Sequence, residues 1–191
     1  MIRKSAVILS GGKNTRMNYK IKAFLEFEGS RFIERALNAI SDYEEKIISC
    51  NDIEKYSEFK DRAILVLDDF KDIGPIGGIY SSLKKASFSS VLIVAGDMPF
   101  LSRDILKYLG KYDFVEDALI PVVNGRIQPL CGIYKKSILG VIEEMIEKDN
   151  YRLKSLLENI NTRYIDINEE DNFSNINTVE EYNKLIRKES E

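Results

Sequence analysis

The sequence predicts an α/β domain with a mostly parallel central sheet and helices on both faces. Three observations predict it. Short apolar runs alternate with amphipathic stretches along the whole chain. The clearest runs are apolar at every position rather than every second one, as strands buried on both faces require. Glycine, serine and asparagine separate the two kinds of segment. The 191 residues argue for a single domain over 1–191, long enough to bury a core without disulfides or a structural metal.

The first strand is "AVILS", residues 6–10, which stops at Gly11-Gly12. A polar, glycine-led loop runs from there to about residue 22. Ser30 offers an N-cap for a helix through Ile40, with Phe32, Ile33, Ala36, Leu37 and Ile40 on one face. "KIISC" (46–50) and "AILVL" (63–67) read as strands flanking a short helix. "GPIGG" (74–78) opens a helix through about Ala86. "VLIVAGD" (91–97) is the most strand-like run in the chain, and Ser102 caps the helix that follows. "ALIPVV" (118–123) leads through an Asn124-Gly125 turn into "RIQPLCGIY", a small hairpin. Helices over 136–148 and 152–159, a strand over 163–167 and a helix over 178–188 complete the series. Thr178 and Glu181 have the spacing of a capping box for the last helix.

Composition narrows the chemistry. Twenty-eight basic residues against thirty-one acidic ones leave a net charge of −3, so nothing points to nucleic acid, and a bound polyanion must be held locally. Histidine is absent, which removes Ser-His-Asp and Cys-His catalysis and histidine-ligated zinc. The two cysteines, Cys50 and Cys131, fit neither a disulfide framework nor a zinc site and read as buried thiols in a reducing compartment. No apolar run is long enough for a signal peptide or a membrane span. A cytoplasmic protein with no membrane partner is expected, as a monomer or weak homo-oligomer.

In a parallel sheet, ligands sit at the carboxyl ends of the strands, so the residues to weigh are those that follow strands: Gly11-Gly12, Asn51, Asp68 and Asp97. Paired glycines after a buried strand turn the backbone sharply and present N–H groups to an anion. Lys13, Arg16 and Lys22 add cations suited to phosphate. Neither G-x-x-x-x-G-K-[ST] nor G-x-G-x-x-G is present, and a solvated glycine turn fits the same spacing. Asp97 in "VAGDMPF" ends a central strand, where a metal would bridge it to phosphates; Mg²⁺ commonly takes one or two protein carboxylates plus phosphate oxygens and water. An aspartate opening an ordinary loop is the alternative. In "DDFKDIGPIGGI" the glycines allow a ligand to approach a helix start, or they simply connect strand to helix. Asn175 and Asn177 alternate with Ile176, so their amides share one side of an extended stretch. A hairpin carrying Arg126 and Gln128 reaches toward a second substrate, or is a plain edge hairpin with polar decoration.

Taken in order, "LSGGKNTRM", "IKAFLEFEG", "IISCN", the aspartate before "GPIGGI", "GDMPFL" and "NINTVEEY" resemble the molybdenum cofactor guanylyltransferases, over about residues 5–186. That resemblance implies a three-layer Rossmann-like nucleotidyltransferase fold and transfer of GMP from GTP to the terminal phosphate of a molybdopterin-type acceptor, with Mg²⁺ as cofactor. It implies that Leu9, Ser10, Gly11 and Gly12 wrap the nucleotide, and that Lys22 and Arg16 contact phosphate. Asn51 and Asp68 would contact guanine nucleotide and Asp97 the metal, with Asn175 and Asn177 near metal and pterin phosphate. Three departures stand out: Ile21 replaces an aspartate before the loop lysine, Ser10 replaces the loop alanine, and Gln128-Pro129 replaces His-Pro. The last puts the acceptor in question more than the nucleotide. Cytidylyl transfer, a sugar or polyol phosphate acceptor, or a catalytically silent nucleotide-binding accessory protein are the alternatives.

Overall fold

The computed structural model describes residues 1–11, 21–168, 170–176 and 178–189. Gly12, Lys13, Arg16 and Asn177 lie outside the described residues. The strands are β1 (Ile2–Leu9), β2 (Glu26–Phe27), β3 (Ser30–Arg31), β4 (Tyr43–Cys50), β5 (Ile64–Leu67), β6 (Ser90–Ala95), β7 (Ala118–Val123), β8 (Arg126–Ile127), β9 (Cys131–Lys135) and β10 (Thr162–Asp166). The α-helices are α1 (Phe32–Ala39), α2 (Pro75–Lys85), α3 (Arg103–Lys111), α4 (Leu139–Glu147), α5 (Leu153–Asn159) and α6 (Val179–Glu189).

Among the described residues the main sheet runs β10-β7-β9-β6-β1-β4-β5, with β8 paired to β7. All neighbours of β1 are parallel to it, as are β4 with β5 and β10 with β7. Only β9 runs against both β6 and β7, and β8 against β7. The mostly parallel α/β architecture is therefore the one observed. After β1 the chain steps to β4 and β5 on one side, then returns to β6 on the other. That reversal opens the crevice of a doubly wound sheet at the carboxyl ends of β1 and β6.

Alternating residues of the central strands feed two cores. Ala6, Ile8, Ile48, Leu92 and Val94 face α1 and α3 together with Ile33, Leu37 and Leu106. Val7, Ile47, Val91, Ile93 and Ile120 face α2, α4 and α5 together with Ile79, Leu83, Ile142 and Leu156. A third, smaller core joins Leu25, Phe27, Phe32 and Ile176, with Phe100, Val179, Tyr182 and Leu185 packed on it. Cys50 and Cys131 are buried free thiols, and burial pushes their pKa up, to about 11 and about 12. No described helix is long and apolar enough to cross a membrane.

Local signals held where a side chain could close a helix end. Ser102 Oγ accepts from Ile105 N–H at 3.2 Å, and Thr178 and Glu181 form the reciprocal box, both bonds at 3.1 Å. At α1 the expectation fails: the N-cap position is Arg31, not Ser30. Ser30 instead pairs with Phe27 across a two-residue turn at Glu28 and Gly29, both at positive φ (51° and 70°), the backbone of a tight hairpin. Glu34 then accepts from Arg31 N–H at 2.9 Å. The Asn124-Gly125 turn repeats the same geometry, with φ of 49° and 73°. "RIQPLCGIY" is not one strand. Pro129 has no N–H to offer a ladder, so β8 ends at Ile127 and Cys131 N–H bonds Gln128 C=O at 3.0 Å before β9 begins between β6 and β7. The expected helix between β4 and β5 is a run of 3-10 turns over Glu54–Phe59.

Candidate active site

Because the strands that border the crevice are parallel, their carboxyl ends form one edge. Along it, in spatial order, stand Asp68 after β5, Asn51 after β4, Ser10-Gly11 after β1 and Asp97 after β6. The hairpin bearing Arg126 and Gln128 follows β7 at the same edge, since β7 is antiparallel to β9 and thus parallel to β6.

Asp68 is half-buried and sits between two glycines. Ser49 Oγ, itself 1% exposed, donates to Asp68 Oδ1 at 2.6 Å. A Cβ on Gly78 would lie 2.8 Å from Ser49 Oγ and 3.4 Å from Asp68 Oδ1; one on Gly11 would lie 2.9 Å from Asp68 Oδ2 and 3.0 Å from Asn51 Oδ1. The glycine in "GPIGG" thus admits the Ser49–Asp68 pair beneath α2, a role the sequence had suggested for an incoming ligand. Burial raises the Asp68 carboxyl pKa, the Ser49 bond works against that, and the charge of Asp69 adds to the rise.

The β1 end is fixed by backbone on both sides. Ser10 N–H bonds Ser49 C=O at 2.8 Å, and Gly96 N–H bonds Leu9 C=O at 2.9 Å. Tyr56, 2% exposed, lies within 2.8 Å of Ser10 Oγ and donates to Ser10 C=O at 3.0 Å. Its ring packs on Phe24, with centroids 4.9 Å apart, so the residue found in place of a loop alanine is tied to the turn that carries Lys22.

Lys22 Nζ meets Asp97 Oδ2 at 2.9 Å, with the two side chains only 22% and 21% exposed. These are residues 75 apart in sequence. The sequence reading gives Lys22 a phosphate contact and Asp97 the metal; the structure makes the two an ion pair. The loop holding Asp97 is anchored twice more: Ile176 N–H bonds Asp97 C=O at 3.0 Å, and Arg35 Nε donates to Pro99 C=O at 3.0 Å. Asn175 is exposed next to buried Ile176, which sets it beside Asp97. Arg126 is exposed on β8, and Gln128 N–H bonds Pro121 C=O at 2.9 Å. Sequence reasoning missed Ser49 and Tyr56; both lack a motif, and only their contacts reveal them.

Among the described residues no three His, Cys, Asp or Glu side chains cluster as a metal cage. The Asp97 carboxylate, beside an ammonium, suits a hard cation that brings phosphate oxygens and water as its remaining ligands.

Comparison with known proteins agrees with this fold. Residues 6–165 match the model of the MobA-like NTP transferase domain. The chain is 44% identical to the "Probable molybdenum cofactor guanylyltransferase" of Clostridium perfringens strain 13, over 98% of this chain and 98% of that one. The crystal structure of molybdopterin-guanine dinucleotide biosynthesis protein A from Archaeoglobus fulgidus superposes with a TM-score of 0.79 at 26% identity, covering 97% of this chain and 98% of that one. A 4-diphosphocytidyl-2C-methyl-D-erythritol synthase from Anaerococcus prevotii shares the fold at a TM-score of 0.70 and 17% identity, over 99% of this chain and 96% of that one.

Proposed function

The chain belongs to the MobA-like NTP transferase family and is a nucleotidyltransferase; on that premise we propose that it transfers GMP from GTP to the terminal phosphate of a molybdopterin-type acceptor, releasing pyrophosphate. The observation that carries this reading is the order of groups along the carboxyl edge. Base-reading oxygens on Asp68 and Asn51 come first, the β1 loop next, then the Lys22–Asp97 pair, then the hairpin and Asn175. A nucleotide laid base-first along that edge brings its phosphates to Lys22 and Asp97 and its α-phosphorus toward the acceptor side.

Guanine presents N1–H and N2–H₂ as donors, which suits a pair of oxygen acceptors. The acceptor phosphate is already an anion, so its oxygen attacks the α-phosphorus without a strong base, and the bond to the bridging oxygen of pyrophosphate breaks. That agrees with a chain without histidine. The difficulty is repulsion between two polyanions. Lys22, and Arg16 from outside the described residues, would offset it by charge. Asp97 would hold Mg²⁺, which when bound supplies further stabilisation of the developing negative charge. Gly11, with Gly12, would present loop N–H groups to the phosphates, and Leu9 and Ser10 would line the nucleotide. Arg126, Gln128, Asn175 and Asn177 would receive the acceptor.

The test is pyrophosphate release with each of the four nucleoside triphosphates, offered molybdopterin, a sugar phosphate or a polyol phosphate. Turnover with GTP and molybdopterin is expected, falling about a hundredfold or more in Asp97→Asn, as for loss of a major electrostatic term. Turnover with CTP alone would make the protein a cytidylyltransferase. Nucleotide binding without turnover on any acceptor would make it an accessory protein.

A further inference from the structure

We propose that Ser49 is a specificity-determining residue for the nucleobase: by engaging Oδ1 of Asp68 it turns the other carboxylate oxygen, Oδ2, into register with Asn51 Oδ1 as a matched pair of acceptors. This rests on the guanine reading above and adds to it a residue that contacts no substrate.

Ser49 occupies the second-last position of β4 and points to the α2 side, the same side as Ile47, in a strand of alternating faces. Asp68 follows β5 and reaches back diagonally, because Ser49 is in register with Val66, two residues before it. The hydroxyl is buried and its bond to Oδ1 is 2.6 Å long, the short range of a hydrogen bond to a charged oxygen. It has little room to leave. Gly78 closes over it so tightly that even a methyl group there would stand 2.8 Å from Oγ.

The consequence lies on the other oxygen. Asp68 Oδ2 and Asn51 Oδ1 both lie against Gly11, so that a Cβ on that glycine would stand 2.9 and 3.0 Å from them. Two acceptors held this close together suit a base edge with two adjacent donors. Guanine has two; hypoxanthine keeps N1–H and lacks the 2-amino group. A carboxylate without the Ser49 bond can rotate about its last torsion, a broad one, and the placement of Oδ2 beside Asn51 is then no longer imposed. Burial also works against the ionised carboxylate, and the Ser49 bond opposes that effect. Ser49 is therefore a positioning residue, acting on the base only through Asp68.

The experiment is calorimetric titration of GTP, ITP and CTP into the full chain, as wild type, Ser49→Ala and Ser49→Cys, with melting temperatures recorded alongside. Wild type is expected to bind GTP about tenfold more tightly than ITP, the order of one hydrogen bond to a charged group. Ser49→Ala should lose about tenfold on GTP and much less on ITP, narrowing the preference to about threefold or under. Ser49→Cys keeps a similar shape with a weak donor and should track the alanine variant, which supplies the ratio if Ser49→Ala folds poorly. A merely structural role would weaken both nucleotides equally and leave the ratio unchanged; that outcome, with wild type still preferring GTP, overturns the Ser49 proposal alone. A wild type that prefers CTP to GTP overturns the guanine reading and the proposal with it.

Discussion

Two helical glycines should respond in opposite directions to the same substitution. In a helix interior, alanine is favoured over glycine by about 0.5–1 kcal/mol, because the unfolded chain has less freedom to lose. Gly140 lies in α4, and a Cβ there would meet nothing within 4 Å. Gly140→Ala should therefore keep the gain and raise Tm by roughly 1–4 °C, at about 2–4 °C per kcal/mol for a chain of this size. Gly78 lies in α2, and a Cβ there would stand 2.8 Å from Ser49 Oγ, 3.1 Å from Leu9 Cδ2 and 3.4 Å from Asp68 Oδ1. Either α2 shifts off the sheet, at an overpacking cost of about 1–3 kcal/mol, or the Ser49 hydroxyl turns away from Asp68, losing a bond to a charged group worth about 1.5–3 kcal/mol. Set against the helix gain, the net is a loss of up to about 2.5 kcal/mol, a Tm lowered by up to roughly 10 °C. GTP affinity should fall in the same variant and remain unchanged in Gly140→Ala. Thermal denaturation followed by circular dichroism, with calorimetric GTP titration, reads both. A Gly78→Ala protein that melts at or above wild type and binds GTP normally would refute the claim that this glycine seats Ser49 and Asp68.

Two further outcomes follow from the charged groups. Lys22→Ala removes the ion-pair partner that meets Asp97 in a largely covered position; Tm should drop by about 1–3 °C, and GTP binding should weaken more than guanosine binding, whereas an equal loss for both ligands would detach Lys22 from the phosphates. Asp68→Asn removes a carboxylate whose folded pKa is raised by burial. For such a group the stability contribution is full below its unfolded pKa and is lost as pH rises through the folded one. The variant should therefore melt about 1–3 °C above wild type at pH 7, converge with it below about pH 4, and bind GTP at least about tenfold more weakly; a melting difference that does not change with pH would show that desolvation of Asp68 is not its origin.

What sequence made legible was local. "VLIVAGD" and "AVILS" are apolar at nearly every position, so β6 and β1 and the residues after them could be located without tertiary information. Ser102 and Thr178 cap helices through bonds to residues three positions away, and such spacing is visible in one dimension. The β2–β3 hairpin was not legible as an apolar pattern, since each strand has two residues; the Glu28-Gly29 pair between Phe27 and Ser30 was the available signal. Ser49 was invisible for a different reason. One serine in "KIISC" reads as a small residue in a strand, and its partner follows another strand, 19 positions away. Tyr56 in its run of 3-10 turns was hidden likewise, because the contact to Ser10 spans 46 residues. Motif reading located Lys22 and Asp97 separately; nothing in either motif says that they touch.

Why they touch is a packing question, and the third core answers it. Lys22 is followed within five residues by Leu25 and Phe27, and Asp97 within three by Phe100; Asn175 is followed directly by Ile176. Those four apolar side chains all belong to the same small cluster, closed by Phe32 and by α6. Phe27 and Phe100 meet edge to face at 5.6 Å, Phe32 and Tyr182 at 6.2 Å. Tyr182 O–H also donates to Glu26 C=O at 2.9 Å, which binds the last helix to the small hairpin. Each segment that brings a polar group to the phosphate end of the edge thus carries its own apolar anchor a few residues on, and the anchors share one destination. Burial of these anchors, at about 1.5–3 kcal/mol for each large side chain fully covered, is ample to hold a partly covered ion pair whose own contribution is modest. The base end is built differently, from Ser49 on β4 and Asp68 just after the edge strand β5, under α2. The two ends of the edge rest on separate cores, so an apolar-to-alanine change at Phe27 or Ile176 should disturb the Lys22–Asp97 pair and leave the Ser49–Asp68 bond in place.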